Sequence, residues 1–173
     1  MEFYIYIDLK RYVRQFLINK FGVGDSDWKI KFPERSRENA FLRARLMTPP
    51  EGVRPHMREN EETGIVIPHS VSKPPERYNY ITQEDRNAIK DMVESVFDAS
   101  LKIEVWEDIK MGVKIKNSLL AWMRRNGVGL ESYEILLQRI NRMLMAYRKK
   151  GIEVNPSKKI FKKDGEKIDN DNP

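Results

Sequence analysis

The sequence predicts an α+β fold: short strands with three helices in the N-terminal portion, then a basic helical hairpin and a mobile C-terminal tail. Three observations predict it. Three short runs read as strands, two of them by period-two alternation, apolar residues recur at helical spacing in five longer runs, and the composition turns strongly basic near residue 110. At 173 residues the chain fits one compact domain or two very small ones. The expected organisation is an α+β portion over residues 1–100 with a flexible loop at 48–63, a hairpin over 110–151 and a mobile polar tail at 152–173.

The first run, Glu2 to Asp8, alternates Phe3, Ile5 and Ile7 with Tyr4 and Tyr6, which makes a strand with two fairly apolar faces. Leu9, Tyr12, Val13, Phe16 and Leu17 then follow helical spacing until Gly22 and Gly24 stop the pattern. Trp28 to Phe32 alternates again and ends at Pro33, and Ser36 is placed to cap a helix carrying Phe41, Leu42 and Leu46. Pro49, Pro50, Gly52 and Pro55 break the pattern before the third strand, Gly64 to Pro68. Thr82 with Asp85 three residues later opens a helix bearing Ile89, Val93, Val96 and Phe97, expected to end near Ser100, with Val105 and Trp106 in a connecting stretch. Ile115, Leu119, Leu120, Trp122 and Met123 mark the next helix, which Asn126-Gly127 terminates. The last helix, from about Ser132 to Lys150, carries Tyr133, Leu136, Leu137, Ile140, Met143, Leu144 and Tyr147 on one stripe.

Charge is distributed unevenly along this framework. Residues 1–109 hold 17 Lys/Arg against 19 Asp/Glu, whereas residues 110–163 hold 14 against 3, a net +11 within 54 residues. Such a segment is the electrostatic footprint of a surface for phosphates. The expected function is therefore non-enzymatic, accessory or regulatory nucleic-acid binding through phosphate contacts. The candidate residues are Arg124, Arg125, Arg139, Arg142, Lys149 and Lys150 on the hairpin, and Lys158, Lys159, Lys162 and Lys163 around Phe161 on the tail. Ile135 and Gln138 share a sector with the cations of the last helix. The match to a helix-turn-helix is weak, because Asn126 to Glu131 is long for a tight turn and Glu131 and Glu134 open the second helix. The alternative is a protein-interaction module or oligomeric adaptor docking on an acidic partner, which the off-stripe Ile135 and Met145 favour.

Other chemistries find little support. There is no cysteine, so disulfides and thiolate metal sites are excluded. His56, Glu59, Glu61, Glu62 and His69 match no metal-ligand spacing, no phosphate-binding glycine motif is present, and Asp25, Asp27, Glu34 and Glu38 form no strand-end carboxylate pair. Tyr78-Asn79-Tyr80 reads as packing after Pro74-Pro75. No catalytic residue, metal or cofactor is expected. The absence of a long apolar stretch or a signal-peptide pattern leads to the expectation of a cytoplasmic protein with no membrane partner.

The segments FPERSREN at 32–39, GIVIP at 64–68 and KPPERYNY at 73–80 resemble a family of small uncharacterised bacterial proteins, often found in mobile-element neighbourhoods. The resemblance implies a bacterial cytosol and work on mobile DNA. It carries over no activity and no site residue.

Overall fold

The computed structural model describes residues 1–152. It is α+β, in the order β1 (Tyr4–Ile7), α1 (Arg11–Phe21), β2 (Lys29–Ile30), α2 (Arg37–Arg45), β3 (Thr63–Val66), α3 (Gln83–Lys110), α4 (Ile115–Arg125), a single 3-10 turn (Leu130–Ser132) and α5 (Tyr133–Lys149). The chain divides into two compact units, Met1–Phe97 and a second that begins at Asp98.

The first unit is built on a three-stranded sheet of order β1-β3-β2, in which β3 pairs antiparallel with β1 and parallel with β2. Alternation sends Ile5 and Ile7 of β1, Ile30 of β2 and Ile65 of β3 into the core. There they join Tyr12, Val13, Phe16 and Leu17 of α1 and Ile89, Val93 and Phe97 of α3, all buried, with the Phe97 ring edge-on to Phe16 and tilted against Tyr12. Arg86 of α3 donates to the Tyr6 carbonyl and ties the helix to β1. β2 is shorter than the alternation of Trp28 to Phe32 predicts. The Lys31 amide donates to the Phe21 carbonyl at the end of α1, 2.9 Å away, rather than to β3.

Residues 32–39 and 73–80 have local structural work. Ser36 caps α2 by accepting from the Asn39 amide at 3.0 Å, and the Asn39 side chain donates to the Glu34 carbonyl at 2.8 Å. At the other end of α2 the Lys73 ammonium donates to the carbonyls of Arg43, Ala44 and Leu46 at 3.0, 3.3 and 2.8 Å. A cation on the free carbonyls of a helix C-terminus satisfies both their lone pairs and the dipole. Met47 and Tyr80 then exchange backbone hydrogen bonds of 3.0 and 3.1 Å.

Boundaries elsewhere also differ from the sequence expectation. The helix expected to stop near Ser100 runs unbroken to Lys110, because Leu101, Val105 and Ile109 extend the four-residue spacing of Ile89, Val93 and Phe97 and are all buried. The segment expected to be a flexible loop is irregular only to Glu62, since Thr63 enters β3, and it is tied down at several points. Arg14 of α1 pairs with the Glu61 carboxylate at 3.1 Å and donates to its carbonyl at 2.8 Å. His56 lies 2.9 Å from the Glu62 carboxylate, which also accepts from the Glu59 amide.

Candidate nucleic-acid interface

The second unit is assembled from the end of α3, α4 and α5 around a shared apolar centre. Leu101, Val105 and Ile109 of α3, Leu119, Trp122 and Met123 of α4, and Leu136, Ile140 and Leu144 of α5 are nearly fully buried. Polar anchors fix the register: the Trp122 indole donates to the Ser100 hydroxyl at 3.3 Å, and Ser118 donates to Asp108 at 2.6 Å. Trp106, expected in a connector, lies on α3 with its ring edge-on to Tyr147 of α5 at 4.8 Å. α4 ends in a left-handed cap. Gly127 sits at φ +67°, and the Val128 amide reaches back to the Met123 carbonyl at 3.0 Å while its own side chain is buried.

With the inner stripe of α5 fixed, the helical step of about 100° per residue decides what points outward. Glu134, Ile135, Gln138, Asn141, Arg142, Met145, Arg148 and Lys149 are all exposed. This face mixes three cations and two amides with two apolar side chains, and Glu134 at the first turn is its single acid. Asn141 and Arg148 belong to it and were not singled out from the sequence, although the same wheel contains them.

The sequence-predicted residues separate into three groups. Arg124, Arg142, Lys149 and Lys150 are exposed, and no acidic partner holds them among the described residues. Arg125 and Arg139 are engaged within the unit. Arg125 lies 3.2 Å from Glu104, and Arg139, only 25 % exposed, donates to Asp98 at 2.6 Å. Arg139 is about 40° round the helix from the buried Met143, at the rim of the inner stripe rather than opposite it. Lys102, one turn further along α3, also reaches Asp98 at 2.9 Å. Partial burial pushes the Asp98 carboxyl up, but its hydrogen bond and charge interaction with Lys102 and its pairing with Arg139 outweigh that and hold it below the usual carboxylate range. Lys158, Lys159, Lys162 and Lys163, together with the expected mobile tail beyond residue 152, lie outside the described residues.

No protein-family model, curated protein or solved structure matches the chain. Arg offers a planar fork to phosphate or to guanine, Asn and Gln can bond adenine edges in pairs, and apolar tips such as Ile135 and Met145 suit contact with thymine methyl groups. Among the described residues no three His, Asp or Glu side chains gather to hold a metal ion, and no helix is long and apolar enough to cross a membrane. His56 bonds Glu62 inside its own loop, and His69 lines a different cleft with Lys31, Arg35 and Arg43.

Proposed function

We propose that this protein is a non-enzymatic nucleic-acid-binding accessory or regulatory protein that holds the phosphate backbone with the outward face of α5 and the exposed end of α4. The observation that carries the reading is the set of four exposed cations, Arg124, Arg142, Lys149 and Lys150, that no acidic side chain among the described residues neutralises. Cations free of internal partners release counterions from nucleic acid on binding, and that release is the main source of backbone affinity. Gln138 and Asn141 beside Arg142 add groups that read base edges once the backbone has set the register. A bacterial cytoplasmic setting and action on mobile DNA accord with the sequence resemblance.

Fluorescence anisotropy with duplex DNA, single-stranded DNA and RNA tests the reading. Replacing Arg124, Arg142, Lys149 and Lys150 together by Glu abolishes binding at moderate salt and leaves the far-ultraviolet circular dichroism unchanged. Unchanged binding overturns the interface. A protein-docking function is the second reading, favoured by Ile135 and Met145, which are 50 % and 56 % exposed on the same face. Under that reading light scattering gives a mass above the monomer, and Ile135→Asp with Met145→Asp restores the monomer.

A further inference from the structure

The strand with two apolar faces poses a question that the core answers for only one of them. Ile5 and Ile7 are buried, but Tyr4 and Tyr6 point to the opposite side of β1, where a solvent-facing strand would ordinarily carry polar residues. Their ring neighbours are not helical residues. Tyr4 and Tyr6 stack with centroids 6.0 Å apart, and the Trp28 indole lies 5.4 Å from Tyr4 and 6.3 Å from Tyr6. Gly64, the partner of Tyr6 in β3, makes this layer possible, since a β-carbon there would fall 2.7 Å from the indole. Trp28 thus packs over Gly64 of the central strand, and all three residues remain partly exposed.

Cations surround the rings. Lys29 is the β2 partner of Gly64, on the same face, and Lys31 two residues on is exposed. Arg58 places its guanidinium over the indole at 4.7 Å and so covers a face of Trp28 in the unbound protein. Glu2 is the acid at this edge, and it is engaged by the Tyr4 hydroxyl at 2.6 Å and by Lys29 at 3.9 Å. Glu62, behind the loop, is engaged by His56. A row of partly exposed rings flanked by cations suits one ligand chemistry: flat aromatic bases strung on a phosphate chain. Paired bases keep their faces stacked on one another, so the ligand is a single strand.

We infer that the outer face of the sheet, formed by Tyr4, Tyr6 and Trp28, is a stacking site for unpaired nucleobases, with Lys29, Lys31 and Arg58 receiving the adjoining phosphates. The inference draws on nothing in α4 or α5, so either can fail without the other.

The test compares two ligands on the full chain by fluorescence anisotropy: a short oligothymidylate and an abasic sugar-phosphate strand of the same length, which carries the same charge and no bases. The thymidylate binds about tenfold or more tightly than the abasic strand. Tyr4→Leu and Tyr6→Leu each reduce that ratio, and the double variant reduces it further without changing the salt dependence. Trp28→Phe retains a ring and retains the ratio. Leu at either tyrosine keeps an apolar strand residue, and Tyr4→Leu alone serves if the double variant unfolds. Equal affinity for the two strands in the wild type overturns the inference, as does a ratio that survives loss of the tyrosine rings in a folded protein.

Discussion

Arg139 and Arg142 are both cations of α5, three residues apart, and the structure assigns them different work. Each is replaced by Ala, and duplex DNA affinity is measured across a range of salt beside the melting temperature. Arg142 is exposed and unpaired among the described residues, so its loss removes one phosphate contact and flattens the slope of log K against log salt by about 0.9. The fourfold span from 50 to 200 mM salt then changes affinity by about 3.5-fold less than in the wild type, with little change in melting temperature. Arg139 is held by Asp98 at 2.6 Å with the two side chains 25 % and 32 % exposed, so solvent screens the pair and its loss costs about 1 kcal/mol. For a chain of this size that lowers the melting temperature by about 2–4 °C. The DNA salt slope stays close to the wild-type value. The reasoning is refuted if Arg139→Ala flattens the slope as much as Arg142→Ala does, or if Arg142→Ala is the variant that melts early.

Asp98 has its carboxyl held below the usual range, so its pairing stabilises the fold above the unfolded carboxylate pKa and is lost as pH falls through the depressed folded value. Denaturant titrations down the acid range then show the stability difference between wild type and Asp98→Asn shrinking below about pH 4. Val105→Ala, at a fully buried position on the part of α3 that the sequence pattern did not assign to a helix, costs about 1–3 kcal/mol in urea unfolding. A surface-like cost of under about 0.5 kcal/mol contradicts the continuous helix. Gly64→Ala forces the indole off the sheet and lowers stability by about 1–3 kcal/mol, read by thermal melting together with a change in tryptophan fluorescence.

The parts of the fold that periodicity governs were legible. The three strands, the starts of the helices and the cap at Asn126-Gly127 lie close to where strand-forming runs, four-residue spacing and left-handed tolerance put them. The length of α3 was obscured by its own solvent face. Lys102, Glu104, Glu107 and Asp108 crowd the segment with charge and Val105-Trp106 resembles a connector, while the buried residues 101, 105 and 109 keep the period in view. The 48–63 segment carries the composition of a free loop, yet Arg14, His56 and Arg58 hold it through partners 4 to 47 residues away, which no local pattern encodes. The second apolar face of β1 was visible in Tyr4 and Tyr6. What it meets, Trp28 lying over Gly64, depends on strand order and could not be read from the alternation.

The candidate interface was legible in its charge and not in its geometry, and the reason lies on α3. A helical wheel drawn for α5 alone sets Arg139 nearer the buried Met143 than Arg142 or Lys149, but it contains no neighbouring helix to show what Arg139 meets. α3 supplies two acids that sort the cations: Asp98 takes Arg139 and Lys102, and Glu104 takes Arg125. An excess of positive charge along the sequence therefore overstates the cations available to a ligand, since part of it balances acids on an adjacent element. Because Arg139 is fixed at the rim of the inner stripe, it also orients the helix that presents the free ones. Charge that holds α5 in place and charge that meets a phosphate are separate sets, and only the second is expected to govern salt dependence.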